Sequence, residues 1–572
     1  MNTLVLLLIC VAVLLCGYLF YGRWLCKQWG VGESTEETPA HTVDDGGVDY
    51  VPAKAPVLMG HHFSSIAGAG PITGPIGAAM FGWLPVTLWV LVGGIFFGGV
   101  HDFGALFASI RHKGQSIGEI ISTNMSKRAK RLFLTFAYLT LILVVAAFAS
   151  IVASTFGATF DEAGVLDVAA SASNASVAMV SLLFIVIAII FGFCVYRRNA
   201  PMVLSTVLGV AAIVLCMAIG MNFHPIYLSS KTWMIIVGIY IAIASVTPVW
   251  ILLQPRDYLS SFLLYAMLIV AVVGVVGAHP NIDPELFPAF TGFKVENANG
   301  VQYLFPILFT TVACGAISGF HSLVSSGTTS KQLDKETDAK PIAYGGMLLE
   351  CVLAILTLCA IAYARQTGHT AGATDIFAGG IAAMVATIPG FAGLEHILYT
   401  LLILTYSAFC LTSLDTATRL ARFMFQEFWL EPGQTVADVK DGWKKIMVNP
   451  YFATILTVVL GIILGMTGYS KIWGLFGAAN QLLAGLGLLA VATWLGNIGK
   501  NNKMFLIPMA FMMVVTICSL VLTVKNQIGM IAAGGADWGP YAQTILGVLL
   551  IVLAIVLVIE GIQTLTKKTS RA

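Results

Sequence analysis

Ionisable side chains lie inside several long apolar stretches of this 572-residue chain. His321, Glu350 and the adjacent pair His101 and Asp102 each sit within a run long enough to cross a bilayer, and Asp415 ends another. A charge at membrane depth costs about 3 kcal/mol or more, and such residues usually mark an ion pathway or a proton relay. Because imidazole titrates near neutrality, this carboxylate–histidine set predicts proton transfer.

Two alternatives to a proton relay stay open for these residues. One is a divalent metal site, whose ligand types are present without a diagnostic spacing. Its four candidate ligands are His61, His62, His101 and Asp102. The other concerns Asp415, which is followed by Thr416 and, four residues on, by Arg419, so that it could cap a helix and pair within it.

A set of hydroxyl groups crowds the end of the stretch TTVACGAISGFHSLVSSGTTSK. Its members proposed for ion coupling are Ser325, Ser326, Thr328 and Thr329. Hydroxyl and carbonyl oxygens are the ligands that a hard cation such as sodium prefers. Each hydroxyl could equally bond back to a carbonyl of its own helix. Sodium coupling and a structural role are therefore both open at this point.

The composition indicates the environment of these ionisable side chains. The chain is 58% hydrophobic and only 10% charged, with a mean hydropathy of +0.89, whereas a soluble domain carries about 25% charged residues. A chain this apolar requires a lipid bilayer as its partner. The net charge of +2 gives no indication of nucleic-acid binding. No nucleotide-binding loop, nucleophile elbow or metalloprotease motif is present, so we expect neither an enzyme nor a cofactor.

The apolar runs predict an all-α integral membrane protein with about fifteen transmembrane helices. A span needs roughly 20 mostly apolar residues. The predicted spans are 3–22, 58–80, 83–110, 131–157, 176–196, 201–221, 232–253, 259–278, 303–327, 342–364, 394–414, 451–467, 472–497, 504–524 and 539–562. The Gly-rich stretch 375–392 predicts an extracellular hairpin or re-entrant segment, and 415–428 an amphipathic helix along the inner membrane surface.

The lysines and arginines give this topology an orientation. With the N-terminus outside and fifteen spans alternating, almost all of the 30 basic residues fall on the inner side. The exceptions are Lys231, Lys294, Arg365, Lys471 and Lys525. This bias is what the positive-inside rule requires. The C-terminus is then cytoplasmic.

Glycine and proline interrupt two of the predicted spans. The second contains Gly68, Gly70, Pro71 and Gly74 near its middle, and the seventh contains Pro248. Proline removes a backbone donor, and unpaired backbone groups at membrane depth are tolerated only inside protein or beside a cavity. Such breaks indicate a substrate site. Its candidate residues are Ser64, Ser65, Gly68, Gly70, Pro71, Thr73, Gly74, Thr247 and Gln254.

The position of the two breaks predicts an inverted repeat. They are five spans apart, and an odd separation gives the two five-helix units opposite orientations, as in transporters whose substrate site lies between two broken helices. Four regions follow. They are the first helix and cytoplasmic linker (1–57), the first repeat (58–221), the second repeat with its amphipathic helix (232–428), and four additional helices with a C-terminal tail (429–572).

Five long stretches carry a resemblance to a known family. They are GHHFSSIAGAGPITGP (60–75), WILLQPRDYLSSFLLY (250–265), CGAISGFHSLVSSGTTSKQ (314–332), LTSLDTATRLAR (411–422) and LFGAANQLLAG (475–485). At these stretches the chain resembles the carbon starvation protein A (CstA) family of bacterial inner-membrane transporters. The matching residues include His61, His62, Gly68, Gly70, Pro71, Gln254, Pro255, Arg256, His321, Ser325, Ser326, Asp415, Asn480 and Gln481.

The resemblance implies a secondary transporter that imports pyruvate or short peptides during carbon starvation, with a proton as the coupling ion. It also implies a LeuT-like fold within the amino acid–polyamine–organocation superfamily. Two other functions remain: a sodium-coupled transporter of the same class, and a membrane nutrient sensor. The lack of a soluble signalling domain disfavours a pure sensor.

Overall fold

The structure is a computed structural model that describes residues 1–34, 36–43, 49–161, 164–198, 200–297, 300–431, 434, 436–534 and 538–569. Parts of the predicted linker (35 and 44–48) and of the C-terminal tail (570–572) lie outside the described residues. The described chain is helical almost throughout. Its first half forms α1 (Thr3–Cys16), α2 (Gly22–Trp29), α3 (Pro39–Thr42), α4 (Ala55–Ile66), α5 (Gly70–Ala78), α6 (Trp83–Gly93), α7 (Gly99–Arg111), α8 (Ile117–Asn124), α9 (Lys127–Phe156), α10 (Val168–Gly192), α11 (Met202–Asn222), α12 (Ser230–Val246) and α13 (Leu253–Ala278).

The second half begins with a β-hairpin, in which β1 (Lys294–Asn297) pairs antiparallel with β2 (Gly300–Tyr303) and Lys294 lies opposite Tyr303. The helices that follow are α14 (Leu304–Thr311), α15 (Gly319–Gly327), α16 (Gly345–Thr367), α17 (Ala373–Ala386), α18 (Glu395–Phe428), α19 (Trp443–Met447), α20 (Pro450–Gly465), α21 (Tyr469–Asn497), α22 (Lys503–Ala532) and α23 (Trp538–Thr569). Single π-turns join α1 to α2 and α6 to α7 into continuous helices.

Eleven helices among the described residues are long and apolar enough to cross a bilayer. The other four predicted spans fall on the shorter helices α12 and α20 and on two helix pairs, α4/α5 and α14/α15. The fold is therefore that of an α-helical, multi-pass membrane protein. The count of fifteen crossings stays a prediction.

The predicted break in the second span coincides with a real interruption. Helix α4 ends at Ile66 and α5 begins at Gly70, with Pro71 inside its first turn. Because proline has no N–H to donate, the hydrogen-bond ladder cannot run unbroken from α4 into α5. The break predicted in the seventh span is wrong: Thr247 and Pro248 lie in a turn that joins two separate helices, α12 and α13.

The second broken helix is instead the ninth predicted span. Helix α14 ends at Thr311 and α15 begins at Gly319, which leaves seven residues, 312–318, without helix. No proline marks this interruption, so the sequence pattern did not reveal it. The two broken helices run in opposite directions, because α4 packs against α15 while α5 packs against α14.

The amphipathic helix predicted at 415–428 does not form as a separate element. Helix α18 runs from Glu395 to Phe428 without interruption. Its residues from Asp415 to Arg422 are buried, so this part of the helix packs inside the protein and does not rest on a membrane surface. The charges that suggested an amphipathic surface helix are used in internal contacts.

Candidate functional site

A buried network of charged side chains joins α4, α12, α13 and α18. Arg256 Nη2 donates to Asp257 Oδ1 at 3.1 Å, and Arg256 Nη1 donates to Asp415. Asp257 also lies 3.0 Å from His61 Nδ1. Asp415 accepts a 2.9 Å hydrogen bond from the Tyr240 hydroxyl. We call these five residues the arginine network; each of its carboxylates has at least two polar partners.

A second buried network joins α7, α15 and α16. Asp102 lies 2.8 Å from His101 Nδ1 through one oxygen and 2.8 Å from His321 Nδ1 through the other. On the far side of the His321 ring, Nε2 is 3.5 Å from Glu350 Oε2. All four side chains are buried. We call this group the histidine network.

Glu350 differs from the other carboxylates of both networks. Neither of its oxygens has a hydrogen-bond partner among the described residues, and the side chain is completely buried. His321 Nε2 is also without a partner at hydrogen-bond geometry. An unpaired buried carboxylate costs much more free energy as an anion than as a neutral acid. The gap between Glu350 and His321 is therefore a place where one proton can be held by either group.

The four residues predicted as metal ligands do not converge. His61 is engaged by Asp257, and His62 Nδ1 lies 2.8 Å from Thr329 Oγ1. Their side chains are thus directed to different partners from those of His101 and Asp102. Within the part of the chain that the structure describes, a different group has ligand atoms within 4.8 Å of one another: Cys314, His321 and Glu350. By residue type that group could accept a divalent cation.

Two of the four hydroxyls predicted to bind sodium are turned back to their own helix. Ser326 donates to the carbonyl of Ser322 at 2.7 Å, and Thr328 donates to that of Val324 at 2.9 Å. Thr329 contacts His62 instead. Of this set, Ser325 has a buried hydroxyl with no partner among the described residues. The intrahelical alternative is thus observed for Ser326 and Thr328, and sodium binding by this set stays a prediction.

The first break lies against α18 and close to the arginine network. Ser64 donates to the backbone carbonyl of Asp257 at 3.3 Å. The Ser413 hydroxyl donates to the carbonyl of Ser65 at 3.0 Å, and a Cβ on Gly68 would lie 2.8 Å from that same hydroxyl. These predicted substrate residues are thus held in place by α13, through Asp257, and by α18, through Ser413.

Glycines of α5 bring the two broken helices into contact. A Cβ on Gly70 would lie 2.4 Å from Cys314 Cβ, and one on Gly74 would lie 2.8 Å from the carbonyl oxygen of Thr311. Cβ atoms do not approach so closely, so glycine is required at both positions. Pro71 and Thr73 belong to the same turn of α5, and the Thr73 hydroxyl lies 3.0 Å from that of Tyr406.

Thr247 and Gln254 lie apart from the breaks. The Thr247 hydroxyl bonds to the carbonyl of Ile243 within its own helix end. The Gln254 amide donates to Gln332 Oε1 at 3.1 Å. Their assignment to a second broken helix is wrong, because the chain turns between two helices there.

Sequence reasoning missed two members of the arginine network. Tyr240 carried no signal, because a single tyrosine inside an apolar run can equally be a packing residue. Asp257 was visible beside Arg256 but gave no indication that His61 would reach it from 196 residues away. The expected pairing of Asp415 with Arg419 is replaced by pairing with Arg256, while Arg419 donates to the carbonyl of Thr247.

A family model and several known proteins match this chain in sequence. A family model described as carbon starvation protein CstA matches residues 2–371 and 362–519. The "Peptide transporter CstA" of Bacillus subtilis (strain 168) is 31% identical over 98% of this chain and 97% of its own length. The "Pyruvate/proton symporter BtsT" of Escherichia coli (strain K12) is 30% identical over 84% of this chain and 75% of its own.

Solved structures overlap this chain at lower similarity. An Eremococcus coleocola manganese transporter in complex with an aromatic bis-isothiourea substituted compound is 11% identical. The overlap covers 90% of this chain and 94% of that one, with a TM-score of 0.49.

Proposed function

We propose that this chain, which belongs to the carbon starvation protein CstA family, is a proton symporter that imports pyruvate or short peptides during carbon starvation. The observation that carries the proposal is the buried contact between His321 and Glu350, the latter with no hydrogen-bond partner within the described part of the chain. A named relative transports pyruvate with a proton, and others transport peptides. The substrate partners are thus small molecules that carry a carboxylate.

The coarser part of this function follows directly from the family. The chain is a multi-pass membrane transporter and not an enzyme. Its relatives are named as transporters of peptides or of pyruvate, both small molecules. The proposal therefore concerns the substrate of this chain, the coupling ion and the arrangement of the helices.

For the helices we propose a five-plus-five inverted repeat in a revised frame. The first unit is α4/α5, α6/α7, α9, α12 and α13, and the second is α14/α15, α16, α18, α20 and α21. Helix α9 packs against α18, which is its counterpart. The other contacts come in corresponding pairs: α13 with α4 and α21 with α14, α7 with α15 and α16 with α5, and α12 with α18 and α20 with α9. Each pair has its symmetry mate. Helices α10 and α11 are then an inserted hairpin, and α22 and α23 are the additional C-terminal helices.

For the substrate carboxylate we propose the N-terminus of α5. The first N–H groups of a helix lack intrahelical partners and carry the positive end of its dipole. No side chain among the described residues caps α5. Pro71 has no N–H, and Ile72 and Thr73 donate to the carbonyl of Ala69, so the N–H of Gly70 is the donor left at this helix start. The start of α15, in contrast, is already occupied by the side chain of Asn480. This asymmetry favours the first break, with Ser64, Ser65, Gly68, Gly70, Pro71, Thr73 and Gly74 around it.

For coupling we propose that a proton is loaded between His321 and Glu350. Asp102 fixes one nitrogen of His321, so the other faces Glu350 in a defined orientation. At membrane depth, the protonated pair costs less free energy than the anionic pair. The intrahelical bonds of Ser326 and Thr328 leave them poorly arranged for sodium.

For localisation we propose the bacterial inner membrane, with the N-terminus outside and the C-terminus in the cytoplasm. The distribution of lysine and arginine supports this orientation. Reporter tags inserted after Lys127 and Lys335 should read cytoplasmic, and a tag near Asp283 external. A reversed reading at any of these sites would reject the topology.

The decisive experiment is transport by the purified chain in vesicles. Labelled pyruvate and a labelled tripeptide are offered separately, with a proton or a sodium gradient imposed in turn. We expect accumulation of one substrate driven by the pH gradient alone. Accumulation that needs sodium and ignores pH would reject proton coupling, and equilibration without accumulation would indicate a passive channel. Uptake of neither substrate would reject the proposed substrates.

A further inference from the structure

Helix α21 lies deeper in the protein than its place near the C-terminus suggested. Every residue of its apolar window is buried. It packs against both halves of the second broken helix, α14 and α15, and against α9. A Cβ on Gly477 would lie 2.6 Å from the carbonyl oxygen of Thr310, and one on Gly319 2.3 Å from that of Asn480. The backbones are thus in direct contact on both sides of the break.

The first of two adjacent amides on α21 reaches the start of α15. Asn480 Oδ1 accepts a 2.8 Å hydrogen bond from the backbone N–H of Phe320. Asn480 Nδ2 donates to the Ser318 hydroxyl at 2.9 Å. The N–H groups in the first turn of a helix have no partner within the helix. Asn480 therefore acts as an N-terminal cap supplied from another helix.

The second amide reaches the end of α14. Gln481 Nε2 lies 3.3 Å from the carbonyl oxygen of Phe309 and 3.4 Å from that of Val312. The last carbonyls of a helix also lack intrahelical partners. Gln481 therefore donates through Nε2 at the end of α14, whereas Asn480 accepts through Oδ1 at the start of α15. The polarity of each amide matches the helix end that it meets.

We propose that Asn480 and Gln481 are positioning residues, a pair of caps of opposite polarity that hold the two halves of the second broken helix. They act on transport through α15, whose first turn carries His321 directly after Phe320. This inference rests on the proposed function only for its consequence for uptake. The capping itself is independent of which substrate or ion is carried.

The test makes the same chemical change, amide to carboxylic acid, at both positions. Asn480→Asp keeps an oxygen acceptor for the Phe320 N–H at a positive helix end. Gln481→Glu replaces a donor by an acceptor facing two carbonyls at a negative helix end. We expect Asn480→Asp to keep kcat/KM for pyruvate within about threefold, and Gln481→Glu to lose about tenfold or more. Equal losses at the two positions would overturn the proposal.

A matched control exists in the neighbouring helices. Gln527 of α22 donates to Gln543 Oε1 of α23 at 3.0 Å, and both are buried. Gln527→Glu makes the same change in a buried amide that does not touch the break. We expect Gln527→Glu to leave the pH dependence of uptake and the ratio of KM to kcat unchanged. A change equal to that of Gln481→Glu would reduce Gln481 to a general packing residue.

Hydrogen exchange followed by mass spectrometry separates this inference from the proposed function. Asn480→Ala should speed exchange of amides in peptides covering 318–322 by about fivefold, because the cap of Phe320 is lost. The Gln527 variant should not change those peptides. Unchanged exchange in Asn480→Ala would overturn the capping, whatever the substrate. A wild-type protein that transports neither pyruvate nor peptide, yet shows the exchange difference, would reject the proposed function and keep the caps.

Discussion

The arginine network and the histidine network are both buried at the junction of broken and continuous helices, but their charges are balanced differently. In the arginine network, Arg256 lies between Asp257 and Asp415, so each carboxylate faces a guanidinium group. In the histidine network, Asp102 is held by two imidazoles, while Glu350 lies 3.5 Å from His321 and has no hydrogen-bond partner among the described residues. One network contains a permanent cation, and the other depends on protons for any positive charge.

This difference separates a fixed connection from a titratable one. Arginine stays protonated in proteins, so the charge of Arg256 does not change with pH. Imidazole can gain or lose a proton near neutral pH. The arginine network is therefore suited to joining α13 with α18. The histidine network is suited to changing its charge during transport.

Removal of the permanent cation should have the largest effect. Arg256→Met leaves Asp257 and Asp415 buried without their guanidinium partner, and breaking a buried pair in this way costs about 3–5 kcal/mol. We expect a clear drop in the thermal unfolding temperature in detergent, or loss of folded protein on size-exclusion chromatography.

The double variant Arg256→Met with Asp415→Asn is the control for this effect. It removes one of the two stranded charges, so it should be more stable than the single variant. If Arg256→Met unfolds within 1–2 °C of wild type, the arginine network is not a structural connection.

Neutralisation of Glu350 should have the next largest effect, on transport and not on stability. The carboxyl group of Glu350 has no hydrogen-bond partner among the described residues. Glu350→Gln therefore leaves no other group without its partner, and the unfolding temperature should stay close to that of wild type. Uptake driven by a pH gradient should be lost, because the amide cannot release a proton. Exchange of labelled for unlabelled substrate should persist, because it needs no net proton movement. Retained accumulation would exclude Glu350 as the coupling group.

A matched pair of histidines compares the two networks directly. His61 and His321 are both buried, and each contacts one aspartate, Asp257 or Asp102, at close to 3 Å. His321→Gln should abolish accumulation driven by pH while exchange persists. His61→Gln should lower the rate of uptake by no more than a fewfold and keep the response to pH. The reverse result would move the coupling site to the arginine network.

Much of the helical architecture could be predicted from sequence, because hydropathy and charge act over single segments. The break at Gly70 and Pro71 was visible for the same reason. The break at 312–318 was not, since no proline marks it and the contacts of α21 beside it are not visible in the local sequence. The break predicted in the seventh span was wrong for a different reason. Pro248 lies in a turn between two helices, and proline alone does not distinguish such a turn from a break within one helix.

The candidate site was predictable in its residue types but not in its pairing. His321, Glu350, His101 and Asp102 stood out because charge is rare in apolar runs. Their grouping, and the separation of His61 and His62 from it, depends on how α4, α7, α15 and α16 pack. Nothing in the sequence pattern placed Asp415 beside Arg256, 159 residues away.

The smallest effect is expected at the hydroxyls at the end of α15, and it sharpens the comparison by testing sodium. The Thr328 hydroxyl donates to the carbonyl of Val324 in its own helix. Thr328→Val keeps the branched shape and removes only that bond, whose net contribution is about 1 kcal/mol. We expect uptake within about twofold of wild type, with the same response to pH and none to sodium.

Ser325→Ala, which removes the one unpartnered hydroxyl of the set among the described residues, is the stricter companion variant. If wild-type accumulation requires sodium and both variants abolish that requirement, the cation site lies in these hydroxyls. The histidine network would then be a buried structural contact, like the arginine network.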